Sequence, residues 1–178
     1  MTCLIVDVLI TIAGYISMIK ISKIVVTMAV SLFFAIAVFN NVIDYQNTFA
    51  FTHHTLSMDT TSQNPHFMGR AILNPFFQHA MFISIIVIQF IVASLCGFSA
   101  VRMLFVFKND FKFTQAKAMA LIGCCLGFVL YGLGFMTVAG QWFMMRESTA
   151  WNVQNSVQLF LIFLGFSLLY LHFPEKDR

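Results

Sequence analysis

Charge is what this sequence has least of. Asp, Glu, Lys and Arg make up 10% of its 178 residues, against about 25% in an ordinary soluble domain. Hydrophobic residues make up 60% and the mean hydropathy is +0.85. A chain this apolar cannot clothe a water-facing surface, so lipid must serve as its outer solvent. The net charge is +3, but Lys and Arg sit beside the ends of apolar runs rather than on a water-facing patch, which excludes a nucleic-acid reader. The only cysteines are Cys3, Cys96, Cys124 and Cys125. None falls in an outward loop and none has metal-type spacing, so a disulfide framework is excluded and core packing explains them. Ser-His-Asp order, a nucleophile motif, a phosphate-cradling Gly loop and a dinucleotide fingerprint are all missing. No nucleotide or flavin signature is present, and His79 and His172 fall at opposite membrane faces, so they cannot ligate one b-type haem. Deep within the apolar runs the main polar side chains are Gln89 and Gln158. Neither titrates, which argues against a proton or ion pathway and suits bonds across helices.

What is present is long apolar runs. A bilayer core needs roughly 20 apolar residues in helical form, and four runs qualify: 24–41, 76–101, 118–140 and 157–173. Asn74 and Pro75 give the second a cap and a first-turn proline, and Pro174 marks the end of the fourth. The predicted fold is all-α, a polytopic bundle of four transmembrane helices. Lys20, Lys23, Arg102, Lys108, Lys112, Lys117, Lys176 and Arg178 fall on one side of these spans, and only Arg70 and Arg146 on the other. The positive-inside rule then puts both termini and the 102–117 loop in the cytoplasm. It turns outward the long 42–75 loop, between helices 1 and 2, and the 141–156 connection. The basic stretch 108–112 with Lys117 reads as a contact for anionic lipid. Residues 1–17 are apolar but short and contain Asp7, so they read as an interfacial extension or a mis-assigned start ahead of a single domain over 18–178. Gly123 and Gly127 form a Gly-x-x-x-Gly step, Ala93 and Gly97 a similar one, which predicts the closest helix contact between spans two and three.

Residues with chemical capacity collect on the outer side. Asp44, Tyr45, His53, His54, Asp59, His66, Arg70, His79, Gln141, Trp142, Arg146 and Trp151 all fall there, as do four of the five histidines. The candidate ligand-binding layer is Asp44, His54, Asp59, Arg70, His79, Gln141, Trp142 and Trp151. His54, Asp59 and His79 offer the nitrogen and oxygen donors that zinc accepts. The alternative is a hydrogen-bond network in which Arg70 neutralises Asp44 or Asp59. His53 and His54, if extended, point opposite ways and do not share an ion. Trp142 and Trp151 sit where aromatic rings anchor to headgroups, and Trp142 is also placed to line an outer pocket.

Three segments carry a family resemblance: Phe-Asn-Asn-Val-Ile-Asp-Tyr at 39–45 leading to 47–51, His-Thr-Leu-Ser-Met-Asp-Thr at 54–60, and 141–152 from Gln141 to Asn152. Arg70, Ala71, Ile72 and His79 extend it. Together they resemble a bacterial family of predicted small integral membrane proteins, domain of unknown function 2165, over about 18–174. The resemblance implies four helices, the bacterial cytoplasmic membrane and no established activity. Gln141, where an acidic residue is expected, and Gly69, where an aromatic is expected, depart from that pattern.

Three functions fit. The first is a non-enzymatic accessory subunit, bound to a larger membrane assembly or to its own copies. The second is a small-ligand or metal binding protein with its site under the outer loop. The third is an enzyme acting on a lipid or quinone, with Asp44 or His79 as base.

Overall fold

The computed structural model describes residues 2–61 and 65–175, the side chains of 2–13 and 16 excepted. The expectation for residues 1–17 rests largely on those excepted side chains; along the backbone, residues from Thr2 onward simply extend the first helix. Helix α1 runs Thr2–Ile43, and α2, Tyr45–Ser57, follows it after a break at Asp44. A one-turn helix α3, Pro65–Met68, leads to α4, Pro75–Phe105. Helix α5, Asp110–Val129, widens into a π-helical segment, Leu130–Trp142. A 3₁₀ turn, Met145–Glu147, and α6, Gln154–His172, complete the order. Four helical stretches are long and apolar enough to cross a membrane: Ser17–Ile43, Pro75–Phe105, Asp110–Trp142 and Gln154–His172.

The start of α4 follows from its sequence, since the Asn74 side chain accepts the Phe76 amide at 2.9 Å with Pro75 at the first helical position. The expected 102–117 loop is much shorter. Helix α5 already begins at Asp110, where the Asn109 side chain accepts the Lys112 amide at 2.9 Å. Phe113, Ala116 and Lys117 form the buried face of this early stretch. The long loop between the first two spans is also more ordered than an irregular connection, because α2 and α3 lie within it.

Helix α4 is the centre of the bundle, packed along α1 on one side and α5 on the other. The main core joins Val30 and Phe34 of α1, Val92 and Cys96 of α4, Ala120 and Cys124 of α5, and Leu164 of α6. The small-residue steps correct the expectation that spans two and three pair through both. A Cβ on Gly123 would come within 2.7 Å of Cys96 Sγ in α4, but one on Gly127 would meet the Phe34 ring of α1 at 2.8 Å. Gly97 faces α1 too: a Cβ there would come within 2.8 Å of Ser31 Oγ, which donates to Ala93 O at 2.8 Å. Small residues therefore bring three helices together around α4. Gln89 accepts from Asn41 Nδ2 at 2.8 Å, as a cross-helix bond requires. Gln158 lies on an exposed face of α6 instead.

The two ends of the bundle differ in kind. At the lysine end, Lys20 pairs with Asp110 at 2.6 Å. Lys23 and Lys117 converge on Glu175 Oε1 at 2.9 and 2.7 Å, and both donate to the Phe173 carbonyl. All three lysines are buried. For Lys117 this corrects the reading as a lipid-contacting charge; Lys108 and Lys112, grouped with it in that reading, are exposed. Glu175 feels burial first, which works to raise its pKa. The hydrogen bonds and charges of Lys117 and Lys23 outweigh that and hold it below the ordinary carboxylate value. The opposite end carries a cap made by α2, α3 and the segment after the π-helix.

Candidate functional site

Cap formation starts at Asp44, whose φ of −111° and ψ of 50° break the helical path between α1 and α2. Helix α2 then packs against α1 and α4. It ends at Met58, in the left-handed conformation (φ 55°) and fully buried. The returning chain is pinned by the Ile72 amide, which donates to Leu56 O at 2.8 Å. Leu56, Met58, Phe143 and Met144 form a small core of the cap's own, joined by Phe67, Met68, Ala71 and Ile72.

Most polar groups of this layer are committed to one another. Gln78, 1% exposed, donates from Nε2 to Ile72 O at 2.7 Å, which turns its carbonyl oxygen to His53 Nδ1 at 2.8 Å. His53 must therefore hold its proton on Nδ1. His79 meets the Tyr45 hydroxyl at 2.9 Å and lies flat on Phe49, with ring centroids 4.0 Å apart. His54 pairs with Asp59 at 2.7 Å and stacks on Trp151 at 4.8 Å. Thr60 and Ser148 join their hydroxyls at 2.9 Å.

The expected layer is thus assembled in part. His54, Asp59 and Trp151 come together. Arg70 and Trp142 form a second group, with the guanidinium 4.5 Å from the indole centroid and donating to Trp142 O at 3.4 Å. Among the described residues Arg70 neutralises neither Asp44 nor Asp59, because the Trp142 and Phe67 rings take its planar face. Asp44 instead accepts from Asn47 at 2.8 Å, and Gln141 accepts from Arg146 at 2.7 Å. His79 is not brought to His54 and Asp59. The donor atoms within 4.8 Å of one another belong to His53, His54 and Asp59. His53 and His54 are neighbours in a helix, not in the extended segment that would point them opposite ways, and their rings lie 5.1 Å apart.

A feature that no motif in the sequence marks lies beneath this roof. An apolar cleft of about 290 Å³ opens between α2, α4 and the π-helical segment. Thr52 and Thr55 of α2, Ile85 and Ile88 of α4, and Leu133 and Val138 of the π-helix are among its walls. Met81, Ser84 and Leu133 are exposed at its open side. The π-helix shapes this wall: Thr137 Oγ1 donates to Gly132 O at 2.9 Å and the Phe143 amide to Val138 O at 3.0 Å, each five residues back. Such wide turns are rare and concentrate at functional sites. Trp142, expected to line a pocket, is not on this one.

Thr52 and Thr55 are each 5% exposed, and neither hydroxyl has a hydrogen-bond partner. A buried hydroxyl without a partner costs about 1–3 kcal/mol. These two are the buried side-chain polar atoms left unsatisfied among the described residues, and both residues line the cleft.

A family model described as "Predicted small integral membrane protein (DUF2165)" covers residues 19–174. No curated protein and no solved structure matches the chain.

Proposed function

The chain belongs to this family of predicted small integral membrane proteins, and from its geometry we propose that it is a non-enzymatic binding protein that holds an apolar ligand in the cleft beneath its cap. The observation that carries this reading is the cleft itself, walled by α4 and the π-helical segment and roofed by α2. The groups with acid–base capacity support a roof rather than a reaction centre. His53 is held by Gln78 and His79 by Tyr45, while His54 and Asp59 hold each other. The lysine distribution favours a setting in the bacterial cytoplasmic membrane with the termini inside and the cap outward. In that orientation the cleft draws its ligand from the outer leaflet.

A second reading is favoured by one feature. Trp142 is 54% exposed and stacked by Arg70, and Trp and Arg are the side chains that most often anchor protein interfaces. On that reading the chain is an accessory subunit that docks its cap on a larger membrane assembly.

Purification from native membranes in mild detergent, followed by native mass spectrometry, separates the two. A lipophile retained at one per chain and lost on Ile85→Trp, which fills the cleft, supports the binding protein. A stoichiometric protein partner lost on Trp142→Ala supports the accessory subunit. A preparation carrying neither refutes both.

A further inference from the structure

Several hydroxyls inside this protein's helices bond back to their own helix. Thr27, Thr48, Ser84, Thr114 and Ser167 all donate to the carbonyl four residues back, at 2.8 to 3.1 Å. That bond is the usual resting place of a helical hydroxyl. Thr52 and Thr55 depart from it, although both lie in α2. They stand three positions apart, on one face of the helix, and that face looks onto the cleft. Two donors side by side, each in want of an acceptor, form half of a recognition site.

We infer that the ligand of this cleft is a neutral lipophile bearing a carbonyl oxygen, an ester or a quinone-type ketone, which accepts from Thr52 and Thr55 together. The inference rests on the cleft-binding reading above. A carbonyl oxygen has two lone pairs and so takes both donors. Each hydroxyl oxygen is itself buried in the resting side chain, and a change between the two χ1 rotamers open to threonine in a helix turns it into the cleft. No charged side chain lines the cleft, so a carboxylate or phosphate would enter without a counter-ion, at high cost. Apart from Ser84, whose hydroxyl is bonded to Ala80 O, the remaining lining side chains are apolar and ask the same of the ligand's body. The volume of about 290 Å³ is roughly twice that of an engineered cavity that holds benzene, about 150 Å³. It suits one ring, or a carbonyl with a short length of a single chain. The rest of the molecule leaves by the open side, past Met81 and Leu133.

The test uses the whole chain in nanodiscs of ether-linked phospholipid, which bring no ester carbonyl of their own. Three diazirine-bearing probes of matched length are photolysed in turn: an n-alkane, a fatty-acid methyl ester and an alkyl benzoquinone. Adducts on α2, α4 and the π-helix are counted by peptide mass spectrometry. The ester or the quinone should label the cleft about tenfold more than the alkane, the factor that one or two net hydrogen bonds supply. Whichever of the two labels more strongly names the source. In Thr52→Val/Thr55→Val that preference should fall to the alkane's level, and in Thr52→Ser/Thr55→Ser it should persist. Equal labelling by all three probes in the native chain overturns the carbonyl inference and leaves the cleft reading standing. Absence of any probe from the cleft walls overturns the cleft reading itself. Because the native chain alone gives this comparison, the test does not depend on how well the valine variant folds.

Discussion

At the scale of single residues, the unpartnered threonines reverse the usual sign of a substitution. Removing a buried polar group normally breaks a bond, but here no bond exists to be broken. Thr52→Val/Thr55→Val is expected to raise the unfolding midpoint of the ligand-free protein in detergent, by a stabilisation on the order of 1 kcal/mol. Lipid-depleted samples followed by circular dichroism would check it, and a lower midpoint would show that the hydroxyls have partners after all. Arg70 gives the opposite case. Arg70→Ala should lose about 1 kcal/mol, the scale of an exposed cation–π contact, and weaken the near-ultraviolet signal of Trp142. Arg70→Lys keeps the charge but not the planar stack, so it should restore little of that signal. If the lysine variant matches the native spectrum, charge rather than stacking holds the indole.

Elements pack here by close approach, and the glycines show where there is no slack. Gly123→Ala places a methyl group 2.7 Å from Cys96 Sγ and 3.3 Å from Leu95 Cβ. It should destabilise the bundle by about 1–3 kcal/mol, measured by thermal unfolding in detergent, and Cys96→Ala should recover part of the loss. No recovery would place the strain elsewhere. The four spans and the Asn74–Pro75 start were legible because each is local: an apolar run, a cap. The Gly-x-x-x-Gly spacing marked a close approach, but not that Gly127 would meet Phe34 of α1. The early start of α5 was not, since Lys112 and Lys117 read as loop until Phe113 and Ala116 are seen to face inward. Helix α2 was hidden for a related reason. Its stretch is only moderately apolar, and Asp44 gives it no side-chain cap. The polar layer's location was legible from where His53, His54 and His79 collect. Their partners were not, because Gln78, Tyr45 and Asp59 are chosen by how α2 folds back. The cleft draws ordinary Thr, Ile and Leu residues from three separate elements, and no spacing along the chain marks it.

For the molecule as a whole, the contrast between its two ends makes its own predictions. In a background without native cysteines, a thiol placed at Gln46 should react with an impermeant reagent in intact cells, and one at Lys112 should not. The reverse pattern would turn the cap to the cytoplasm. At the lysine end, Glu175→Gln leaves Lys23 and Lys117 buried without their shared carboxylate and should destabilise the protein by about 3 kcal/mol. Because the folded pKa of Glu175 is depressed, its stabilisation is fully present above the ordinary value of 4.5 and fades as pH falls through the lower folded value. Unfolding midpoints taken from pH 6 down to 3 should show that decline in the native chain and a flatter course in Glu175→Gln. Parallel curves would remove Glu175 from the acid response. The same ion pair also sets an order in time. Lys23 finds its carboxylate 152 residues further along the chain, and at about 5–20 residues per second of synthesis that is a wait of roughly eight to thirty seconds. Through that interval the first span sits in the bilayer with a cation that has no partner, its long side chain reaching for the headgroups. The first span is therefore expected to settle only after the segment that follows α6 has been made.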